Sequence, residues 1–127
     1  MTLEITQVVP EGRPMIQSYG EMRFRVSGEI ITGSILVFPD HTQAWPISGI
    51  SEIGMVSLEP VTRASVGLDM LLIGCGPVFE APPKGLRAQL KDAGLVLEWM
   101  DTGAACRTFN ILQSESRLAA AALIAVP

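Results

Sequence analysis

Apolar and polar positions change their spacing several times along the chain, and each change marks an element. From Gly20 to Pro39, Met22, Phe24 and Val26 alternate with Arg23 and Arg25; Gly28 interrupts, and Ile30, Ile31, Ile35, Leu36, Val37 and Phe38 follow. A period of two sends successive side chains to opposite faces, so this stretch predicts a β-hairpin with one buried face. Trp45-Pro46-Ile47, bracketed by the turn residues Pro39-Asp40-His41-Thr42 and Ser48-Gly49, predicts a third short strand. At Ser57 the spacing lengthens. Ser57 can cap a helix that carries Glu59 and Pro60 early and stops at Gly67, with Leu58, Val61, Ala64 and Val66 turned to the core.

The second half alternates strand and helix. Met70-Leu71-Leu72-Ile73, ended by Gly74-Cys75-Gly76-Pro77, is continuous enough to be buried on both faces. Pro82-Pro83 opens a segment in which Leu86, Leu90 and Ala93 fall at helical spacing, and Gly94 ends it. Leu95 to Met100 is a further strand, and strand–helix–strand order favours parallel pairing. Asp101 or Thr102 can cap a helix to about Ser114, with Ala105, Phe109 and Leu112 on one side. The last segment is ambiguous on local grounds: Ala119 to Ala122 favour helix, whereas Ile124-Ala125-Val126 favour strand.

Bulk properties narrow the class. With 127 residues the chain suits one domain with its own core. Its longest apolar run, Leu118 to Val126, is about half of the roughly 20 residues a helix needs to cross a bilayer, so no membrane-spanning segment is expected. A net charge of −4 and nine scattered Lys and Arg residues make nucleic acid an unsuitable partner. The amino terminus shows no secretory or transit pattern, and Cys75 and Cys106 are too far apart for a paired metal or redox motif, so a cytoplasmic location with reduced thiols is expected.

The order of certain residues carries a resemblance. They are Gly28, Gly33-Ser34-Ile35-Leu36-Val37, Trp45, Asp69 through Gly76, Met100-Asp101-Thr102, Ala105, Asn110-Ile111-Leu112, and Arg117 before an alanine-rich apolar end. In these the chain resembles the MTH938-like family from about Tyr19 to Val126. The resemblance implies one domain over residues 19–127 preceded by a variable arm of residues 1–18. It implies a three-layer α/β fold: a central mixed sheet of five strands, helices on both sides and a small β element. It also implies that the segment from Arg117 to Val126 is a strand antiparallel to its neighbours, contrary to alanine propensity. One eukaryotic branch of the family takes part in assembling respiratory complex I in mitochondria, which implies a binding role with a protein partner. The family usually carries threonine where this chain has Cys75 and tyrosine where it has Phe109, so two hydroxyls are missing from the expected cleft.

Several constellations could carry chemistry. Gly74-Cys75-Gly76 after a buried strand, with Glu98 downstream, partly matches a dinucleotide fingerprint. Phe79 stands where the third glycine belongs, and Pro82-Pro83 delay the helix whose N–H groups would meet a pyrophosphate; no cofactor is expected. Cys75 lacks an evident base, because the sole histidine, His41, lies in a distant turn; the ordinary role of each is to fill or solvate a turn. One histidine and two separated cysteines make no zinc set, the carboxylates are not bunched, and no metal is expected. Arg117 is expected to anchor the last turn through a carboxylate. The best candidate site is Gly74, Cys75, Gly76, Met100, Asp101, Thr102 and Asn110, because ligands of open α/β sheets gather at the carboxyl ends of parallel strands. Against this, Asp101 and Thr102 are ordinary caps and Asn110 can tie two backbones together. The functions left are a non-catalytic binding or assembly module, which is favoured, a small enzyme or ligand-binding protein with its cleft there, and a purely structural role. An enzyme of this size normally displays a base, nucleophile or metal cluster.

Overall fold

The structure, a computed structural model, describes residues 2–5 and 11–127. In chain order the elements are β1 (Leu3–Glu4), β2 (Ile16–Gly20), β3 (Arg23–Val26), β4 (Glu29–Thr32), β5 (Ile35–Val37), β6 (Thr42–Ala44), α1 (Glu59–Arg63), β7 (Met70–Gly74), α2 (Leu86–Asp92), β8 (Val96–Met100), α3 (Thr102–Ser114) and β9 (Ala119–Leu123). The strands form a four-stranded sheet, β1-β2-β3-β4, and a five-stranded sheet, β6-β5-β9-β7-β8. β7 is parallel to β8 and β9, whereas β5 is antiparallel to β6 and β9, so the central sheet is mixed.

Alternation along the central strands builds two cores. Leu36, Leu71, Ile73, Leu97, Trp99, Ala120 and Ala122 face Leu58 and Val61 beside α1 and Leu86 and Leu90 of α2. Ile35, Val37, Leu72, Ala121 and Leu123 face Ala105 and Phe109 of α3 and Ile16, Tyr19, Phe24 and Val26 of the small sheet. The three-layer arrangement follows: α1 and α2 cover one face, α3 with the small sheet covers the other. In β9 the side chains at 119–122 are all alanine and no more than 2% exposed. A strand covered on both faces can use small residues to let its covering layers approach. Helical propensity yields here because a helix through these residues would need burial all round.

The structure corrects several local expectations. The stretch from Gly20 to Pro39 is not one hairpin. β3 and β4 do form one, closed by Ser27 and Gly28, both at positive φ as a two-residue turn of this kind requires. Gly33 and Ser34 then carry the chain into the other sheet, where β5 pairs with β9. Met22 does not face the core: with Glu21 it forms the β2–β3 turn, at positive φ and 44% exposed. The strand expected at Trp45-Pro46-Ile47 lies just before it, at Thr42–Ala44, so the polar residue Thr42 belongs to a strand rather than a turn. α1 stops at Arg63, and Ala64 and Val66 are exposed. Ser57 makes no helix cap; its hydroxyl bonds Gly54. β9 is antiparallel to β5 only and runs parallel to β7.

The expected boundary between residues 18 and 19 falls inside β2. Ile16 is fully buried, and the side chain of Asn110 on α3 accepts from its N–H at 2.9 Å and donates to its carbonyl at 2.8 Å. One turn further, Gln113 donates to the Pro14 carbonyl at 2.8 Å and accepts from Arg13 Nε at 3.0 Å. Polar residues on the buried face of α3 therefore hold the entry to β2. Residues 1 and 6–10 of the expected arm lie outside the described residues.

Candidate functional site

The carboxyl ends of β7, β8 and β9 are tied together where the chain leaves the sheet. Cys75 N–H donates to the Met100 carbonyl at 2.9 Å, and Ile124 N–H to the Gly74 carbonyl at 3.0 Å. Thr102 closes the tie. Its N–H donates to the Gly76 carbonyl at 2.9 Å, its Oγ1 accepts from Gly76 N–H at 3.1 Å, and the same hydroxyl donates to the Ile124 carbonyl at 2.8 Å. Thr102 is fully buried, and each of these bonds joins backbone that no ladder pairs. Asp101 caps α3 by accepting from Ala104 N–H at 2.9 Å. Glycine is required at position 74 because a Cβ there would stand 2.8 Å from Thr102 Cα.

Six of the expected site residues, Gly74, Cys75, Gly76, Met100, Asp101 and Thr102, thus come together. Asn110 is two turns down α3 and is occupied with Ile16. Cys75 is 3% exposed, and its thiol donates to the Val78 carbonyl at 3.5 Å. Cys106 lies on the opposite face of the sheet, where burial pushes its thiol pKa far up, so it stays protonated. His41 is at the other end of the sheet, in the β5–β6 turn, stacked on Phe38 at 4.4 Å with Nδ1 2.7 Å from Asp40. The geometry therefore gives Cys75 no histidine base. Glu98 is exposed on β8, and α2 begins only at Leu86, so the glycine turn at 74–76 does not run into a helix N-terminus. Arg117 meets Glu115 at 3.8 Å across exposed side chains, a contact of little energetic weight. Among the described residues no group of three or more His, Cys, Asp or Glu side chains is placed to hold a metal.

Beside the tie, a cleft of about 330 Å³ opens between α3 and β2, bordered by Tyr19, Pro77, Asp101, Gly103 and Arg107. Arg107 Nη1 donates to the Tyr19 hydroxyl at 2.9 Å, and a Cβ on Gly103 would lie 2.7 Å from that hydroxyl. Chemically the cleft offers one carboxylate and one guanidinium, with a phenol between helix and sheet. Spacing did not single out Tyr19, Gly103 or Arg107. The one local signal was Gly103 itself, an unfavourable residue for the first turn of a helix unless something packs against it. Among the described residues no helix is long and apolar enough to cross a membrane.

The fold and this geometry can be set beside known proteins. A family model described as "Protein of unknown function (DUF498/DUF598)" matches residues 16–124. The chain is 33% identical over 126 residues to the NADH dehydrogenase [ubiquinone] 1 alpha subcomplex assembly factor 3 of Danio rerio, covering 99% of this chain and 72% of that one. It spans 60% of the Xenopus tropicalis protein of the same name, at 31% identity. A solution structure of a Rhodopseudomonas palustris protein superposes with a TM-score of 0.80 at 36% identity, covering 98% of this chain and 91% of that chain. A Bordetella pertussis protein described as an Mth938-like domain superposes with a TM-score of 0.79, covering 96% of this chain and 92% of that chain; at 21% identity it bears on the fold alone. The chain belongs to the DUF498/DUF598 family, and its fold is MTH938-like.

Proposed function

We propose that this chain is a non-catalytic, assembly-factor-like module whose partner is a protein, specifically an assembly intermediate of NADH dehydrogenase. The observation that carries the reading is the use of polar groups at the strand ends and along α3. The Thr102 hydroxyl, the Cys75 thiol and the Asn110 amide all bond within the fold, and Asp101 caps its own helix. Groups spent on holding backbone together are poorly placed to move protons on a substrate. The relatives named as assembly factors support the choice of partner. Deleting the gene is expected to lower assembled NADH dehydrogenase on native gels and to let subassemblies accumulate, with the tagged chain recovered on those subassemblies. Normal enzyme levels in the deletion strain, with none of its subunits recovered on the tagged chain, would sink the proposal.

A second reading, a ligand-binding protein or small enzyme, has one specific observation in its favour: the cleft beside Gly74, Cys75, Gly76, Met100, Asp101 and Thr102 with its Asp101 and Arg107 groups. A small molecule retained by the purified protein and lost on Arg107→Ala would favour it. For location we propose the cytoplasm. Both thiols are buried on opposite faces of the sheet and need no oxidant. Titration under denaturing, non-reducing conditions is expected to find two thiols; an intramolecular bridge on mass mapping would overturn the assignment.

A further inference from the structure

The five-stranded sheet has two edges that differ in how they end. At β8, Arg87 Nη1 donates to the Leu97 carbonyl, and Trp99 Nε1 donates to the Glu80 carbonyl of the loop alongside. At β6 nothing comparable is present among the described residues. Its pairing with β5 places the hydrogen-bonded pairs at Ser34 with Trp45 (2.9 Å) and Phe38 with His41 (2.7 Å), and by alternation at Leu36 with Gln43. The N–H and C=O groups of Thr42 and Ala44 therefore point out of the sheet. Proteins usually protect such an edge with a charge, a bulge or a covering segment. Here the edge residues are the neutral Thr42, Gln43 and Ala44.

A cleft of about 480 Å³ runs along this edge. Its walls are apolar: Leu36, Trp45, Pro46, Ile47, Val56 and Pro60. Val56 is 93% exposed, while the Trp45 indole is held rigidly, 2% exposed with Nε1 donating to the Ser57 carbonyl at 2.8 Å. Gln43 pairs with Leu36 and lines the same cleft, so a residue opposite Gln43 on an added strand would turn its side chain into it. Two carboxylates, Glu52 and Glu59, also line the cleft, and no Lys or Arg does. Glu52 accepts from Ser48 and Gly49 N–H at 2.6 and 3.0 Å, which holds its pKa below the ordinary glutamate value and keeps it charged at neutral pH. The Glu59 carboxylate meets the exposed Arg63 at 3.4 Å. A second copy docking through β6 would double these carboxylates at one edge. A basic segment would meet complementary charge.

We propose that β6 is a docking edge that takes an extended segment of a partner protein as a sixth strand, with alternate apolar side chains entering the cleft and a Lys or Arg beside Glu52 and Glu59. The proposal deepens the protein-binding function by naming the surface and the partner's chemistry, and it rests on that function only in taking the partner to be a protein.

The probe is a fluorescein-labelled peptide of alternating valine and threonine with lysine at each end, titrated into the full chain by anisotropy and by amide NMR. Expected are saturable binding, protection of the Thr42 and Ala44 amides from exchange, and at least about tenfold weaker binding of the same peptide ended in glutamate. Ala44→Pro removes an outward N–H at a position where an edge strand tolerates proline, and is expected to weaken binding at least about tenfold. Glu59→Lys, which leaves the backbone intact, is expected to reverse the preference between the two peptides and keeps the test decisive if Ala44→Pro does not fold. Binding to neither peptide, equal affinity for both, unchanged preference in Glu59→Lys, or perturbed amides away from β6 would each overturn the proposal. So would self-association of the free protein that protects Thr42 and Ala44, since the occupant would then be a second copy. The peptide test does not read enzyme assembly: its failure with a clear deletion phenotype discards the surface alone, and its success without a phenotype discards the NADH dehydrogenase role alone.

Discussion

Replacing Ala121 with aspartate is expected to unfold the domain. Ala121 has no exposed surface; it stands opposite Val37 on one neighbouring strand and Leu72 on the other, with its side chain in the core that holds Ala105 and Phe109. The residues clustered around it are apolar, and an unpaired carboxylate cannot be buried there without either taking up a proton or opening the structure. Substitutions of this kind fall in the exceptional class of more than about 4 kcal/mol, against a total stability of about 5–15 kcal/mol for a domain. Ala122→Asp tests the other face, where the neighbours include Leu71, Ile73 and Trp45. The measurement is soluble expression followed by far-UV circular dichroism and urea unfolding, with Ala121→Ser as a small polar control that should remain folded. A soluble aspartate variant with the parent's unfolding midpoint would show that β9 is not an interior strand.

Gly74→Ala is expected to be the most damaging single-methyl change. The added Cβ would lie 2.8 Å from Thr102 Cα, 3.0 Å from its Oγ1 and 3.1 Å from Leu123 Cδ2. The nearest of these is backbone, and Thr102 cannot retreat without stretching its bonds to Gly76 and Ile124. Overpacking a core costs about 1–3 kcal/mol, and each strained hydrogen bond adds about 1 kcal/mol, so a loss of about 3 kcal/mol is expected. Gly54→Ala is the control, because nothing lies within 4 Å of the Cβ it would gain. The two variants should separate clearly in urea midpoint at unchanged slope. If they coincide, the close approach of β7 to α3 is soft, and the tie at the strand ends has little to do with stability.

The second prediction sits on β7, which the local pattern made visible, whereas the first sits on β9, ambiguous on local grounds and read as a strand only through the family resemblance. The continuous apolar run at 70–73 has the length of a strand buried on both faces, and the helical spacing of Leu86 and Leu90 before a terminal glycine marked α2, because each pattern reflects local geometry. The cap of α3 was legible to within one residue, Asp101 or Thr102, since capping involves only residues three apart, and the structure gives it to Asp101. The candidate site was half legible: strand ends collect side chains at one rim by topology, which the order of elements already implies.

What the sequence could not contain is which surfaces meet. The break at Gly33-Ser34 sends two similar apolar runs to two different sheets, and isoleucine at 31 or 35 fits either one. The third short strand was expected at Trp45-Pro46-Ile47 and lies just before it as β6, because an edge strand has only one paired side and can be built from Thr42, Gln43 and Ala44 without a hydrophobic pattern. Ile16 and Asn110 exchange two bonds across 94 residues, and Tyr19 meets Arg107 across 88. Local composition therefore determined β7, α2, β8 and α3 and the two-sided burial of β7. The direction of β9, the open edge and the cleft at Tyr19 were decided only in three dimensions, because pairing and packing energies depend on partners far along the chain.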